Sequence, residues 1–208
     1  MNTFIIGITG GTGCGKTTAL DAIRDLGGMV LDCDAIYHRL LQEDGAMLSA
    51  IENRFPGTVE NGVLHRKKLG NIVFSNKDAL EDLNSITHAA VKREVLRLLE
   101  SKPRLAAIDA IGLFEGGLAS LCNCTVAVTA PEEVRVQRLM ERDGICAEYA
   151  RKRIAAQRPQ QEFVTLCDYT LKNDEKKYDF YAKCLAFFQG IVIMEKEIHS
   201  EEETNHDQ

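Results

Sequence analysis

The stretch Phe4-Ile-Ile-Gly-Ile-Thr9, followed at once by Gly10-Gly-Thr-Gly-Cys-Gly15-Lys16-Thr17, decides the fold of this chain. A continuous apolar run with β-branched residues is typical of a buried parallel strand. The second part fits the pattern G-x-x-x-x-G-K-[ST] and lies between a strand and a helix, as that pattern requires. Its glycines and consecutive N–H groups suit an anion. We therefore expect a phosphate-binding loop (the P-loop, residues 10–17) with nucleotide contacts from Gly11, Thr12, Gly13, Cys14, Gly15, Lys16, Thr17 and Thr18.

A dinucleotide site is the main alternative use of this glycine-rich turn. Its spacing, G-x-G-x-x-G, requires a third glycine at residue 16 or 18, where the chain has Lys16 and Thr18. A chance turn is the other alternative, and the match in both motif and context disfavours it. The N/T-K-x-D tetrapeptide that guanine-binding proteins carry is absent from the sequence.

Strands and helices alternate along the rest of the chain. Further strands are predicted at 29–32, 105–110, 125–129 and 169–171, and helices at 17–26, 88–99, 132–142, 147–157 and 174–193. Residues 34–100 are mostly helical in pattern, with turn signals at Pro56-Gly57 and Asn61-Gly62. This alternation predicts an α/β fold, a parallel sheet with helices on both faces. In such sheets ligands bind beyond the carboxyl ends of the strands.

Acidic residues follow two of these strands. Asp32 and Asp34 end the second strand, and Asp34 also begins a helical stretch. It is therefore either a helix N-cap or the base that accepts the hydrogen of a substrate hydroxyl. Asp109 ends the third strand, where an acid either faces solvent or holds a water of Mg²⁺. Thr17 and Asp109 are the predicted metal-binding residues.

A basic segment follows the fourth strand. Residues 135–158 hold seven bases and three acids, a net charge of +4. A basic helical hairpin hinged at Asp143-Gly144 suits a lid that closes over phosphates. Most of these bases are expected to form a solvated face. Arg138 and Arg142, which are four residues apart and share one helix face, are the predicted phosphate ligands, with Arg142 favoured.

Composition limits the class of protein. The 208 residues are 45% hydrophobic and 27% charged, with a formal charge of −6, which disfavours a protein that coats nucleic acid. No apolar run approaches the roughly 20 residues of a membrane span. Seven cysteines without C-x-x-C spacing, and no histidine pair with metal spacing, suggest thiols in a reducing cytoplasm and no zinc site.

Several further motifs, taken in order, resemble those of the dephospho-coenzyme A kinase family. The P-loop is similar to that family's, and Leu31-Asp-Cys-Asp34 to its second-strand acid motif. The remaining matches are Asn61-Gly62, Arg66-Lys-Lys-Leu-Gly70, Ile72-Val-Phe74, Leu83-Asn84 with His88, Leu113-Phe-Glu-Gly-Gly-Leu118, Arg138-Leu-Met-Glu-Arg-Asp-Gly144, Arg153-Ile-Ala-Ala-Gln157, and Cys167-Asp-Tyr with Asn173. The likeness covers residues 5 to about 174.

The resemblance implies a three-layer fold like that of P-loop nucleoside-triphosphate hydrolases, and ATP- and Mg²⁺-dependent phosphorylation of the ribose 3′-hydroxyl of dephospho-CoA. It implies that the catalytic residues are Lys16, Arg142 and Asp34, the carboxylate that orients or deprotonates the acceptor hydroxyl. It also implies that His88 and Glu115 bind the acceptor and that Asn173 contacts the nucleotide. Departures are Ile111-Gly112 at the family's Pro-Leu positions, Ala89 at a usual proline, and a loose form of the closing asparagine motif. Another small-molecule or nucleoside kinase, or a nucleotide-dependent regulatory protein, is the alternative.

The predicted layout is a single kinase domain over residues 1–194. Its core comprises 1–34, 101–134 and 165–194, with a CoA-binding helical region at about 35–100 and a lid at about 135–160. Residues 195–208 carry six acids and one lysine, a net of −5 that leaves −1 for the rest. This tail is expected to be disordered and dispensable for turnover. The expected protein is a monomer or weak homo-oligomer without nucleic-acid or membrane partners.

Overall fold

The computed structural model describes the backbone of residues 3–206 and the side chains of residues 3–194. In chain order its strands are β1 (Phe4–Thr9), β2 (Met29–Asp32), β3 (Val59–Glu60), β4 (Val63–Leu64), β5 (Leu105–Asp109), β6 (Cys124–Thr129) and β7 (Tyr169–Lys172). Its helices are α1 (Lys16–Asp25), α2 (Cys33–Glu43), α3 (Gly45–Arg54), α4 (Arg66–Val73), α5 (Lys77–Leu99), α6 (Glu132–Asp143), α7 (Ala147–Ala155), α8 (Gln160–Leu166) and α9 (Lys177–His206).

The main sheet has five strands in the order β2-β5-β1-β6-β7. The β1–β5, β1–β6 and β6–β7 pairs are parallel, and Ile6 lies opposite Ala107 on one side and Cys124 on the other. Because β1, β5 and β6 are buried along nearly their whole length, they read as continuous apolar runs, whereas β7 at the sheet edge is mostly exposed. The predicted α/β fold with a parallel sheet is confirmed.

One compact unit comprises residues 1–30, 103–111 and 122–208. Its core joins the apolar residues of β1, β6 and β7 to α1 and α9, and includes the fully buried Ile6, Ile8, Phe180 and Phe188. Asn173 N–H donates to the Thr129 carbonyl at 2.7 Å, which carries the β6–β7 pairing one residue past the strand. The carboxyl ends of β1, β5, β6 and β7 therefore lie along one edge of the sheet.

The second compact unit comprises residues 31–102 and 112–121. Helices α2, α3 and α4 each pack on the long helix α5. Strands β3 and β4 form a hairpin whose two turn residues, Asn61 and Gly62, have φ of 51° and 76°. Two positive φ angles are the requirement of a type I′ turn, so Asn-Gly at this position has a steric reason. The turn predicted at Asn61-Gly62 is confirmed.

Helices α6 and α7 contain most of the basic segment, and helix α8 follows it. Helix α6 ends at Asp143, and Gly144 takes a left-handed φ of 65° that ends the helix, as the Asp143-Gly144 hinge predicts. Val136, Leu139 and Ala150 join α6 to α7 in a small apolar cluster. Helix α8 was not predicted, because its seven residues contain too little apolar periodicity.

The last helix, α9, continues to His206. The sequence pattern predicts that this helix ends at residue 193 and that disorder follows. The prediction and the structure therefore differ over residues 194–206. After Gly190 the chain contains neither glycine nor proline, and glutamate and lysine are good helix formers, so local propensity permits the continuation. The part of the tail prediction that falls on residues 207–208 lies outside the described residues.

Candidate active site

The P-loop leaves β1 and enters α1 through glycines in left-handed conformations. Gly13 and Gly15 have φ of 77° and 94°, and Gly15 is the N-cap of α1 with no side-chain cap. A Cβ on Gly15 would lie 2.1 Å from Asn173 Nδ2, so only glycine fits both the angle and the space. In the first turn of α1 the Thr18 N–H donates to the Gly15 carbonyl at 3.1 Å. The N–H groups of Lys16 and Thr17 precede the helical hydrogen-bond pattern, which is the geometry of an anion-binding helix N-terminus.

Lys16 lies at this N-terminus with its charge directed back along the loop. Its Nζ donates to the Gly10 carbonyl at 3.2 Å and lies 3.9 Å from Asp109 Oδ1 at the end of β5. The Thr17 side chain beside it is exposed, whereas Thr18 is 7% exposed. The structure therefore brings together Lys16, Thr17 and Asp109, although 93 residues separate Lys16 from Asp109 along the chain.

Two side chains bind the carbonyl groups on the outer side of the loop. Arg138 Nη1 donates to the carbonyls of Gly13 and Cys14 at 3.2 and 3.3 Å. Asn173 Nδ2 donates to the Cys14 carbonyl at 2.8 Å, and Asn173 Oδ1 accepts from Arg138 Nη2 at 2.9 Å. Asn173 is only 2% exposed, so its described hydrogen bonds support the loop and differ from the nucleotide contact that the resemblance implies.

Three more residues contact the P-loop or its surroundings, and the sequence did not identify them as site residues. Arg135 Nε donates to the Thr12 carbonyl at 2.9 Å, and the Thr12 N–H donates to Gln157 Oε1 at 2.7 Å. Gln160 Oε1 accepts from the Ala130 N–H at 3.0 Å and from Cys14 Sγ at 3.8 Å. The spacing of Arg135, Arg138 and Arg142 at i, i+3 and i+7 on one helix face was the available signal.

Cys14 is completely buried inside the loop. Burial raises the pKa of its thiol above the ordinary value, although Arg135 and Lys16 oppose the shift. A cysteine at a helix N-terminus is sensitive to oxidation where the thiolate form is favoured. Because desolvation has the larger effect, the thiol form is favoured, so that condition is not met.

Arg142, the arginine favoured from the sequence, has a different environment from Arg138. Its side chain is 60% exposed, and it donates to Asp143 from Nε at 2.7 Å and from Nη2 at 3.0 Å. Asp143 also accepts from Arg153, and these hydrogen bonds, that of Arg142 foremost, lower its pKa to about 2. Arg142 is thus held at the end of α6 by an ion pair within the basic segment.

In the second unit, Asp32 is the N-cap of α2. Its Oδ1 accepts from the Ala35 N–H at 2.9 Å, and its backbone is extended. Asp34 lies inside the first turn of α2 and is exposed. The N-cap role that the sequence left open for Asp34 therefore belongs to Asp32.

Two predicted acceptor-binding residues of the same unit, His88 and Glu115, lie close to Gly112 in the loop after β5. A Cβ built on Gly112 would lie 3.9 Å from His88 Nε2 and 4.0 Å from Glu115 Oε2. Lys92, one helical turn after His88 on α5, donates to the Gly117 carbonyl at 2.9 Å. His88 and Glu115 thus both lie close to Gly112, where a Cβ would be in van der Waals contact with each of them.

Three general features of the described residues bear on the predictions. None of the described helices combines the length and apolarity that crossing a bilayer requires. Within residues 3–194, no three His, Cys, Asp or Glu side chains cluster as they would around a bound metal ion. The seven cysteines, all in that range, form no disulfide.

A P-loop at the carboxyl edge of a parallel sheet, with its lysine, its hydroxyl and a basic helical segment beside it, is typical of P-loop kinases. The dephospho-CoA kinase family model matches residues 4–179. The dephospho-CoA kinase of Geobacillus kaustophilus is 34% identical over 200 residues, covering 93% of this chain and 100% of that protein. That of Syntrophotalea carbinolica is 35% identical over 176 residues, covering 82% and 83%.

A solved structure agrees with these relatives. Dephospho-CoA kinase from Campylobacter jejuni matches with a TM-score of 0.64 and 26% identity, covering 92% of this chain and 98% of that one. The chain belongs to the dephospho-CoA kinase family. The family recognised from the ordered motifs is thereby confirmed, and with it the assignment as a kinase.

Proposed function

We propose that this chain transfers the γ-phosphoryl group of ATP to the ribose 3′-hydroxyl of dephospho-CoA, giving CoA and ADP. The observation that carries the proposal is the family match over residues 4–179, which spans the P-loop, the loop at 112–118 and the lid. This is the last step of coenzyme A biosynthesis, and we expect it to take place in the cytoplasm.

The P-loop binds the phosphates of ATP. The N–H groups of Gly13, Gly15, Lys16 and Thr17 lie in the left-handed turns and first helical turn that suit an anion, and the outer carbonyls are taken by Arg138 and Asn173. Lys16 places a cation at the same end of the loop. Preorganised N–H groups and a point charge stabilise charge that develops in the transition state.

Thr17 and Asp109 supply the oxygen ligands for Mg²⁺. A hydroxyl and a carboxylate are the hard donors that this ion prefers, and the 3.9 Å contact with Lys16 keeps Asp109 Oδ1 beside the loop. The donor set therefore fits the ion. When bound, Mg²⁺ neutralises charge on the β- and γ-phosphate oxygens.

Asp34 accepts the hydrogen of the acceptor hydroxyl. Because Asp32 already caps α2, the exposed carboxylate of Asp34 is not engaged in that role. In the reaction the ribose oxygen forms a bond to the γ-phosphorus, the bond to the β–γ bridging oxygen breaks, and ADP leaves with that electron pair. The hydroxyl proton passes to Asp34.

His88 and Glu115, which both lie close to Gly112, bind dephospho-CoA. Arg142 and Arg138 act from the lid: Arg138 already contacts the loop, and Arg142 neutralises charge on the transferred group. Excluding water from the site favours transfer to the hydroxyl over hydrolysis.

Measuring ADP formation, with and without dephospho-CoA, tests the proposal. We expect ADP release that depends on dephospho-CoA, and a product with a 3′-phosphate identified by mass spectrometry. The matched control acceptor is CoA itself, whose 3′ position is already phosphorylated and which should give no ADP above background. A panel of nucleosides and small alcohols tests the alternative substrate classes. Turnover with one of these, and none with dephospho-CoA, would assign the protein to another kinase activity.

A further inference from the structure

Arg135 is a buried cation in a segment expected to be a solvated basic face. It lies on α6 and is 5% exposed, while Arg151 in the same segment is half exposed and pairs with Glu133. Its Nε donates to the Thr12 carbonyl at 2.9 Å. Burial of a guanidinium against a backbone carbonyl requires a specific compensation, because desolvation of a charge is costly.

Two glycines of the P-loop fit around this arginine. A Cβ on Gly11 would lie 2.5 Å from Arg135 Nη2, and one on Gly13 would lie 2.9 Å from the Arg135 carbonyl oxygen. Real Cβ atoms do not approach so closely without displacement. The absence of a side chain at these glycines therefore allows the loop to pack closely against α6, in addition to allowing its backbone to approach an anion.

The hydrogen bond from Arg135 to the Thr12 carbonyl determines the orientation of the peptide groups in the loop. Carbonyl oxygens repel a phosphate, so an anion site requires the carbonyls to point outward and the N–H groups inward. Arg135 holds the Thr12 carbonyl outward, and Arg138 and Asn173 do the same for the next two carbonyls. Gln157, from the residues after α7, accepts the Thr12 N–H, so Thr12 is held at both backbone groups.

The charge of Arg135 has no acidic partner in the part of the chain whose side chains are described. No Asp or Glu oxygen there lies within 4 Å of its nitrogens, whereas Arg142, Arg151 and Arg153 each have one. A buried cation without an ion pair is stabilised when an anion arrives nearby. The polyphosphate that binds to the P-loop is such an anion.

We propose that Arg135 is a positioning residue for phosphoryl transfer, which acts through Thr12 to hold the P-loop in its anion-binding conformation, with Gln157 as the second contact. The expected changes in kcat and KM rest on the proposed function. The expected change in ATP affinity does not, because binding of ATP to the loop is independent of the acceptor.

The experiment compares Arg135→Met, Arg135→Lys and the control Arg151→Met, which removes a half-exposed charge of the same basic segment that pairs with Glu133. Dissociation constants for ATP and ADP come from titration calorimetry, and kcat and KM from ADP formation with dephospho-CoA. We expect Arg135→Met to weaken ATP binding and to lower kcat by about tenfold or more, because small displacements at a reacting centre are costly. The KM for dephospho-CoA should stay unchanged. Arg135→Lys, which retains the charge and loses the Nε contact, should be intermediate, and Arg151→Met should match the wild type.

A fall in melting temperature with unchanged ATP affinity and kcat in Arg135→Met would overturn the proposal and leave Arg135 a packing residue. If Arg135→Met does not fold, Gln157→Ala gives the second measurement. It should weaken ATP binding, and wild-type affinity and kcat there would also count against the proposal. A wild-type protein that binds ATP and does not phosphorylate dephospho-CoA would refute the proposed function, and the ATP affinities would still decide the role of Arg135.

Discussion

Asn173 donates from Nδ2 to the carbonyl oxygen of Cys14 at 2.8 Å, across a separation of 159 residues. This bond joins the end of β7 to the middle of the P-loop, and Arg138 completes it by donating to Asn173 Oδ1. Both polar atoms of a 2% exposed side chain are therefore satisfied within the protein. The last strand thus supports the phosphate site without exposing Asn173 to the solvent.

Asn173→Ala should weaken ATP binding and reduce stability together. It removes the shorter of the two hydrogen bonds to the Cys14 carbonyl and leaves Arg138 Nη2 without its partner. An unsatisfied buried polar group costs about 1–3 kcal/mol. Asn173→Asp should be the more severe variant, because a carboxylate would face the Cys14 carbonyl oxygen where the amide donates. Calorimetric ATP titration and urea unfolding measure the two effects, and an Asn173→Asp protein with normal affinity and stability would contradict the contact.

Asp34→Asn should bind ATP normally and turn over poorly, since it removes the proton acceptor and leaves the P-loop intact. A loss of about 10²–10⁴-fold in kcat is expected for a general base. Asp32→Ala is the matched control, two residues away. It removes the cap of α2 and should cost about 1 kcal/mol of stability while retaining far more of kcat. Near-normal turnover in Asp34→Asn would exclude Asp34 from its proposed role.

Substitutions of Arg138 and Arg142 should have different effects, the first on ATP binding and the second on turnover. Arg138→Met removes the donors to the Gly13 and Cys14 carbonyls and should raise the dissociation constant for ATP. Arg142→Met, at an exposed position paired with Asp143, should leave that constant nearly unchanged and lower kcat. Steady-state kinetics with ATP titrations of both variants check this, and equal losses of affinity in the two would refute the division of roles.

Glu94 gives the protein a pH-dependent stability. It is 8% exposed on α5 and accepts hydrogen bonds from Arg97 and Arg39, which lower its pKa from 4.5 to about 2. A lowered folded-state pKa contributes stability above the unfolded value that is lost as pH falls through the folded one. Glu94→Gln should therefore be less stable than the wild type at pH 7, by about 1–3 kcal/mol.

This difference in unfolding free energy should shrink as the pH falls from about 4.5 to about 2. Urea unfolding followed by circular dichroism at several pH values measures it. The control is Glu43→Gln, which removes an exposed carboxylate 3.5 Å from the same Arg39 and should change little. A Glu94→Gln deficit that stays constant down to pH 2 would show that its origin is packing and not charge.

The strands and the P-loop were predictable because their causes are local. The apolar run at 29–32 became β2 at Met29–Asp32, and the run at 105–110 became β5 at Leu105–Asp109. Glycine spacing around Lys16 is likewise a property of consecutive residues. Outside the main sheet, the two-residue strands β3 and β4, the short helix α8 and the end of the last helix were not predicted, since none of them has a strong signal of its own.

The sequence by itself determined the α/β fold, the family and the residues of the P-loop. Only the tertiary structure decided how similar residues divide their roles. Arg135 and Arg142 share one face of α6, yet a rise of 1.5 Å per residue places them about 10 Å apart along it, so the first is buried against the loop and the second is exposed. Gln157 and Asn173 meet the P-loop from more than 140 residues away, and such contacts depend on the path of the whole chain.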